Sequence, residues 1–240
     1  MAKENGLGVR LYSHGYDLSA DVNVVDSIGY TQALLDVTTL DKAATTRIAG
    51  QSDGSLTVNG WFEQLGQHAA YLDSFQMPTT DQIVLVQMGT GLGDPCSGMT
   101  AKEATYNVNR ASGSALATTA TFSSTAGEQV EWGVMLTASK VTSASAGNGS
   151  NVDNGASSSA GLVAYLEAVS LASGTVVFKV QHSADASTWV DLITFSSIAA
   201  AAAPSAASDP GNIGEIAWDT GYIYVCTAAD TWERVAIATW

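Results

Sequence analysis

A glycine-rich connection, Gly89-Thr-Gly-Leu-Gly93, comes closest to a nucleotide-binding motif, because it follows an apolar stretch that is typical of a strand. A dinucleotide fingerprint needs a helix directly after its glycines, since the helix N-terminus holds the pyrophosphate. Pro95 and Cys96 stand where that helix should begin, and the third glycine is misplaced. The pattern therefore favours a plain connecting loop over a nucleotide site.

Histidines and cysteines are the next residues that could do chemistry. His14, His68 and His182 are scattered along the chain, without cysteines or carboxylates at the spacing of metal ligands or of a catalytic base and its partner. Cys96 and Cys226 are too few for a thiolate metal site and do not form a disulfide framework. We therefore expect no metal site and no catalytic histidine.

Two weaker patterns also favour structural roles. Asn151-x-Asp153-x-Gly155 offers one carboxylate where a calcium loop uses several, and the chain has no Gly-x-Ser-x-Gly nucleophile elbow. The tryptophans could stack on a sugar, but core and interface roles are more usual for such residues; they include Trp132, Trp189, Trp218 and Trp232. The sequence thus predicts no catalytic residue and no cofactor, and we expect that the protein is not an enzyme.

Composition narrows the class of protein. The 240 residues are 46% hydrophobic and only 13% charged, with a formal net charge of −14. A chain this acidic is unsuited to binding nucleic acid through phosphates. The start lacks the apolar region of a signal peptide, and the longest apolar run, residues 198–203, is too short to span a membrane. We expect a soluble protein that is made in the cytoplasm and buries much of its surface against partner subunits.

The strongest periodic pattern lies between Asp53 and Met88. Leu56 and Val58 alternate with polar residues, which predicts a half-buried strand. The period then changes to three and four residues, which predicts a helix over about residues 61–76. Its apolar face, together with the preceding strand, gives the predicted core, which comprises Leu56, Val58, Phe62, Leu65, Leu72 and Phe75.

The remaining pattern is that of strands, so the fold class is mainly β with one helix. We expect a β-sandwich or barrel domain over residues 1–141 and a Ser/Gly/Ala/Asn-rich linker over residues 142–161. A second, smaller sandwich-like domain over residues 162–240 ends in a hairpin module at about residues 213–238. In the first domain, Asp41–Asp53 is predicted as a long exposed loop or hairpin arm.

Several short motifs resemble bacteriophage tail tube (major tail) proteins. They are Leu11–Ala20 with its Asp-Leu-Ser turn, the Thr-rich Asp36–Leu40, and Ile48–Glu63 with its Gly-x-Leu-x-Val-x-Gly-Trp-Phe strand. The stretches Gln181–Trp189 and Asp191–Phe195 also resemble later parts of such proteins, and the terminal hairpin is similar to a module found near the ends of various virion proteins.

This resemblance implies a structural virion protein of the phage tail that forms stacked hexameric rings around a continuous inner β-barrel. Its partners would be other copies of itself and other tail proteins, and DNA would pass through the lumen without specific binding. The arm would reach a neighbouring copy, with Lys42, Arg47 and Asp53 as assembly residues. The alternative is a virion accessory protein, either a capsid decoration protein or a tail adhesin with a carbohydrate-binding-like sandwich.

Overall fold

The computed structural model describes residues 8–62, 81–110, 114–138, 140–142, 147–155, 161–171, 174–199, 206–208, 216–218, 221–229 and 231–236. These residues form strands, turns and extended segments and contain no helix, so the protein is mainly β as predicted. The helix predicted over residues 61–76 lies outside the described residues from position 63 onward, and so do Leu65, Leu72 and Phe75. No membrane-crossing helix occurs in the part of the chain that the structure describes.

The chain divides into two compact units, residues 1–169 and residues 170–240. The first unit contains β1 (Val9–Ser13), β2 (Tyr16–Asp17), β3 (Val22–Asp36), β4 (Arg47–Trp61), β5 (Gln82–Met88), β6 (Pro95–Asn109), β7 (Ala117–Ser124) and β8 (Glu131–Val134). All pairings are antiparallel, in the order β2-β1-β5-β6-β7-β4-β3, while β8 pairs with the beginning of β6. The result is a single large sheet with β3 at one edge and β2 at the other.

One face of this sheet carries the core of the first unit. Leu56 and Val58, two of the predicted core residues, are 0% and 4% exposed. They point to the same face because side chains alternate along a strand, and they lie opposite Phe122 and Ala120 of β7. Other strands and the loops next to them add further buried side chains to this cluster, namely Leu11, Leu18, Val84, Val86, Met99, Ala101 and Val130.

The end of β4 differs from the predicted start of the helix. Trp61 still pairs with Ala117 of β7, and the N–H of Phe62 donates to the carbonyl oxygen of Leu116 at 3.0 Å. These cross-strand bonds keep the backbone extended where the sequence period had suggested the first helical turn. Phe62, expected in the core, is 37% exposed.

The second unit consists of small antiparallel sheets. Its strands are β9 (Thr175–Val176), β10 (Lys179–His182), β11 (Val190–Thr194), β12 (Ile198–Ala199), β13 (Ile216–Trp218), β14 (Tyr222–Ala228) and β15 (Thr231–Ala236). β10 pairs with β11, β9 with β12, and β13–β15 form a three-stranded sheet. Tyr224, Cys226 and Trp232 make a small core on that last sheet.

The boundary between the units follows Val169, whereas composition suggests a linker over residues 142–161. Residues 162–169, expected in the second domain, form no strand and belong to the first unit. They lie against the large sheet through side-chain contacts.

Candidate assembly surface

The outer half of the β3–β4 hairpin forms an arm, which we define as residues 31–53. β4 is flanked by β3 and β7 from Ser55 to Trp61, but its pairing with β7 stops at Ser55. Beyond that point β4 pairs with β3 alone, through to the cross-strand neighbours Asp36 and Arg47. The β3 side of the arm, residues 31–36, corresponds to roughly 20 Å of extended chain. The arm therefore projects past the edge of the sheet that anchors it.

Local hydrogen bonds fix the turn at the end of the arm. The N–H of Val37 donates to the carbonyl oxygen of Thr46 at 2.9 Å, and the N–H of Thr46 donates to Thr38 Oγ1 at 2.8 Å. The Asp36 carboxylate accepts bonds from the hydroxyl and the N–H of Thr38 at 2.6 and 2.9 Å. These bonds lower the pKa of Asp36, so its carboxylate stays ionised and keeps the turn closed.

The arm carries apolar side chains that no other described element covers. Leu35 and Ile48 are directly opposite each other and are 52% and 51% exposed. Leu34, on the other face, is 62% exposed, and Leu40 at the turn is fully exposed. A two-stranded ribbon with both faces in water is only marginally stable, and clustered exposed apolar groups mark interaction surfaces. This geometry fits a segment that packs against a partner.

The charged residues predicted to act in assembly do not converge on one point. Lys42 forms an ion pair at 3.3 Å with its neighbour Asp41, and both side chains are more than half exposed. Arg47 has no ion pair within the described part of the chain. Asp53 lies six residues along β4 from Arg47, which corresponds to roughly 20 Å. The three predicted residues Lys42, Arg47 and Asp53 thus mark the turn, the end and the base of the arm.

Sequence reasoning missed the apolar character of this arm. The predicted arm, Asp41–Asp53, reads as polar because Lys42, Arg47 and the neighbouring acids dominate it, whereas the observed arm also includes residues 31–40. The available signal was the Leu34-Leu35 pair in one strand and Ile48 in the other, which face water only because the sheet ends before them. Exposure of this kind depends on where a third strand stops, which local periodicity does not encode.

Metal-ligating side chains and aromatic rings are the other candidate features among the described residues. No group of three or more histidine, cysteine or acidic side chains is gathered there as a metal site would require. Of the tryptophans considered for sugar stacking, Trp132 and Trp189 are 54% and 42% exposed, while Trp232 is buried in the small core of the second unit. In that unit the Arg234 guanidinium stacks on the Tyr222 ring at 4.4 Å.

Comparison with known proteins gives short sequence matches. No family model matches the chain. A 37-residue stretch is 54% identical to a capsule K30/K69-specific depolymerase of Klebsiella phage K64-1, and covers 15% of this chain and 5% of that protein. A 36-residue stretch is 53% identical to depolymerase 1, with the same capsule specificity, of Klebsiella phage K5-2, and covers 4% of it. The matches thus span about one-twentieth of the relatives.

Solved structures with a similar arrangement come from particles with tails and baseplates. A chain from the virion of a gene transfer agent is 10% identical over 55% of this chain and 99% of its own, with a TM-score of 0.43. A chain from the tail of the empty gene transfer agent particle, with C6 symmetry, is 14% identical over 54% and 98%, with a TM-score of 0.41. A chain from the six-fold baseplate of the anti-feeding prophage is 12% identical over 51% and 92%, with a TM-score of 0.40.

Proposed function

We propose that this chain is a structural protein of a bacteriophage virion that assembles with copies of itself, through the arm, into the rings of a tail tube. The observation that carries the proposal is the arm, which extends beyond its anchoring sheet and exposes Leu34, Leu35, Leu40 and Ile48. One of the motifs that resemble tail tube proteins, Ile48–Glu63, includes nearly all of β4.

The apolar end of the arm supplies a driving force for association. Full burial of one such side chain contributes about 1.5–3 kcal/mol relative to full exposure. About half of the Leu35 side chain and half of the Ile48 side chain are already buried. Contact with a partner would therefore contribute only roughly 1 kcal/mol for each of them. In a closed ring every subunit inserts one arm and receives one, so these modest gains repeat at each interface.

The sheet edges support lateral assembly. β3 is the last strand at its edge and pairs only with β4 in the described part of the chain, over a 15-residue strand. A long unpaired edge strand is a liability in a free protein, and closure of several sheets into one barrel removes it. We propose that these edges join neighbouring subunits, with hexameric rings that stack along the tail.

Charge supports register and passage of DNA. Lys42 and Arg47 are two of nine basic residues in a chain of net charge −14, so both can meet acids of the next copy. Exposed ion pairs contribute under about 1 kcal/mol each, and so they align subunits more than they hold them. An acidic conduit would let DNA pass without specific binding, because it offers few cations to phosphates.

Removal of the arm tests the proposal. Replacement of residues 33–51 by Asn-Gly joins Gln32 to Ser52, its observed cross-strand partner, by a two-residue hairpin turn. We expect a folded subunit that no longer forms rings or tubes in negative-stain electron microscopy and that elutes as a monomer. Gln51→Ala, at an exposed position of the arm, leaves the apolar and charged residues in place, so it is the matched control and should still assemble.

Normal tubes from the shortened variant would contradict this role of the arm. A circular dichroism spectrum that matches the parent's separates lost assembly from lost folding.

A second candidate function is favoured by the short depolymerase matches. They support a module shared among virion proteins, and thus an accessory role as a capsid decoration protein or a tail adhesin that binds host glycan. Discrete particles in place of rings, together with retention on immobilised capsular polysaccharide, would favour this alternative. The match covers too little of the depolymerases to carry their activity over to this chain.

A further inference from the structure

Residues 161–169 form a strap over the face of the large sheet that lies opposite the core. Tyr165 sits on Gly98 of β6, where an added Cβ would lie 2.6 Å from Tyr165 Cδ2. Gly98 neighbours the core residue Met99 and therefore faces the other way. In register with it are Leu85 of β5 and, beyond that, Tyr12 of β1. Tyr12 is only 3% exposed although it lies on this second face.

The strap is fixed to the sheet at two points. Near its middle, the Tyr165 hydroxyl donates to Glu128 Oε2 at 3.4 Å. Burial, with the negative charges of Glu128 and Glu131, raises the pKa of Tyr165 to about 12, so this ring remains neutral. Near its end, the N–H of Gly15 donates to Glu167 Oε2 at 2.6 Å.

The second attachment point is the turn between β1 and β2. His14 and Gly15 both adopt positive φ, 48° and 81°, which is the conformation of a type I′ hairpin turn. The N–H of Gly15 in this turn points at the Glu167 carboxylate, while the N–H of His14 donates to the carbonyl oxygen of Ile83 at 3.2 Å. The other carboxylate oxygen, Oε1, is buried and has no hydrogen-bond partner among the residues that the structure describes. A buried oxygen without a partner disfavours the ionised carboxylate.

Burial raises the pKa of Glu167 from 4.5 to about 7, and it outweighs the N–H groups of Gly15 and His14, which act in the opposite direction. No positively charged group among the described residues contributes to this pKa shift. The hairpin packed against the strap end carries the titratable groups Arg10, Tyr12, His14, Tyr16 and Asp17, and the strap itself carries Tyr165. Lys140 is engaged with Asp17 at 3.1 Å.

We propose that the strap is a latch, which stays docked on the sheet while Glu167 holds a proton and is released when Glu167 ionises. Release uncovers the second face of the sheet around Gly98. Docking and release of the strap take place within one subunit. They do not depend on the proposed assembly.

The direction of the pH dependence follows from the two pKa values. Docking raises the pKa of Glu167 from 4.5 to about 7, so the docked state binds the proton more tightly. Docking is therefore strongest below the lower value and weakens as the pH rises through the higher one. Between about pH 5 and about pH 8.5 the docking equilibrium should fall roughly 50- to 100-fold.

Limited proteolysis of the full chain by thermolysin measures release, because a bond such as Tyr165–Leu166 is cut only when the strap leaves the sheet. Glu167→Gln cannot ionise and should stay docked at both pH values. The ratio of cleavage rates, parent over Glu167→Gln, removes the pH dependence of the protease itself. We expect this ratio to rise roughly 50- to 100-fold from about pH 5 to about pH 8.5.

Two further variants test the geometry. Gly98→Ala should release the strap at both pH values, because the new Cβ displaces the Tyr165 ring. His14→Asn removes the imidazole and keeps a residue that tolerates positive φ, so the parent's pH dependence should persist. In the parent protein, the NMR signal of the Gly15 amide should titrate near the raised pKa of Glu167.

A cleavage ratio that is equal at both pH values overturns the proposal, and so does a pH dependence that disappears in His14→Asn. If Glu167→Gln does not fold, the NMR signal of the Gly15 amide in the parent protein serves as the test. A signal that is constant between about pH 5 and about pH 8.5 also overturns the proposal.

Discussion

The β3–β4 hairpin allows one substitution, leucine to alanine, to be compared inside and outside the core. Leu56 is 0% exposed and lies between Ile28 of β3 and Phe122 of β7. Leu56→Ala should cost about 2–5 kcal/mol of unfolding free energy, because it loses burial and leaves a cavity. Leu35 lies on the same hairpin but is 52% exposed. Leu35→Ala should therefore lower the free energy of unfolding by no more than about 0.5 kcal/mol.

Urea denaturation of dilute, unassembled subunit, followed by circular dichroism, measures both values. In thermal melts the Leu56→Ala loss corresponds to roughly 4–20 °C, since about 1 kcal/mol shifts the midpoint by about 2–4 °C at this chain length. Equal losses for the two variants would refute the distinction between a packed inner half and a free arm. An unchanged midpoint for Leu56→Ala would refute the assignment of the core itself.

Two further predictions concern charge. The double substitution Lys42→Glu with Arg47→Glu should weaken assembly most at low salt, because repulsion between acidic subunits is least screened there. Sedimentation of assembled material at several salt concentrations measures this effect. A loss of assembly that is equal at all salt concentrations would contradict the prediction. The Asp185 carboxylate should stay ionised at pH values far below the usual pKa of an aspartate. Hydrogen bonds from the N–H groups of Thr188 and Ser187 and from the Ser183 hydroxyl lower its pKa. An NMR titration with the midpoint of an ordinary aspartate would contradict this.

The sequence could predict those parts of the fold that depend on local alternation. Leu56 and Val58 alternate with polar residues, and both lie in the core because the strand is flanked on both sides there. Phe62 could not be placed in this way. Its extended backbone depends on a bond to Leu116, a residue far along the chain whose position no local period reveals.

The strap shows a second limit of local patterns. Its apolar run reads as a strand, but its conformation is set by Gly98, which leaves space for the Tyr165 ring, and by a hairpin turn near the start of the chain. The apolar neighbours of Glu167 in sequence do not identify the sheet and the turn that bury its carboxyl group. Its environment arises only when the sheet has formed, so this carboxyl with a raised pKa was absent from the sequence-based candidates.

The arm and the inner half of its hairpin have similar apolar content, and their difference in exposure arises from topology alone. β7 covers β4 only from Ser55 onward, so Leu56 is buried while Leu35 and Ile48 face water. A free monomer would benefit from polar residues at both of the latter positions, because an isolated ribbon gains nothing from exposed leucine and isoleucine. Their presence is explained if the arm is completed by another chain, as β4 is completed by β7. The strap covers the second face around Gly98 from within the same subunit, whereas the arm and the edge of β3 are open to a partner within the described part of the chain. This division of roles makes arm removal and strap release separable in experiment.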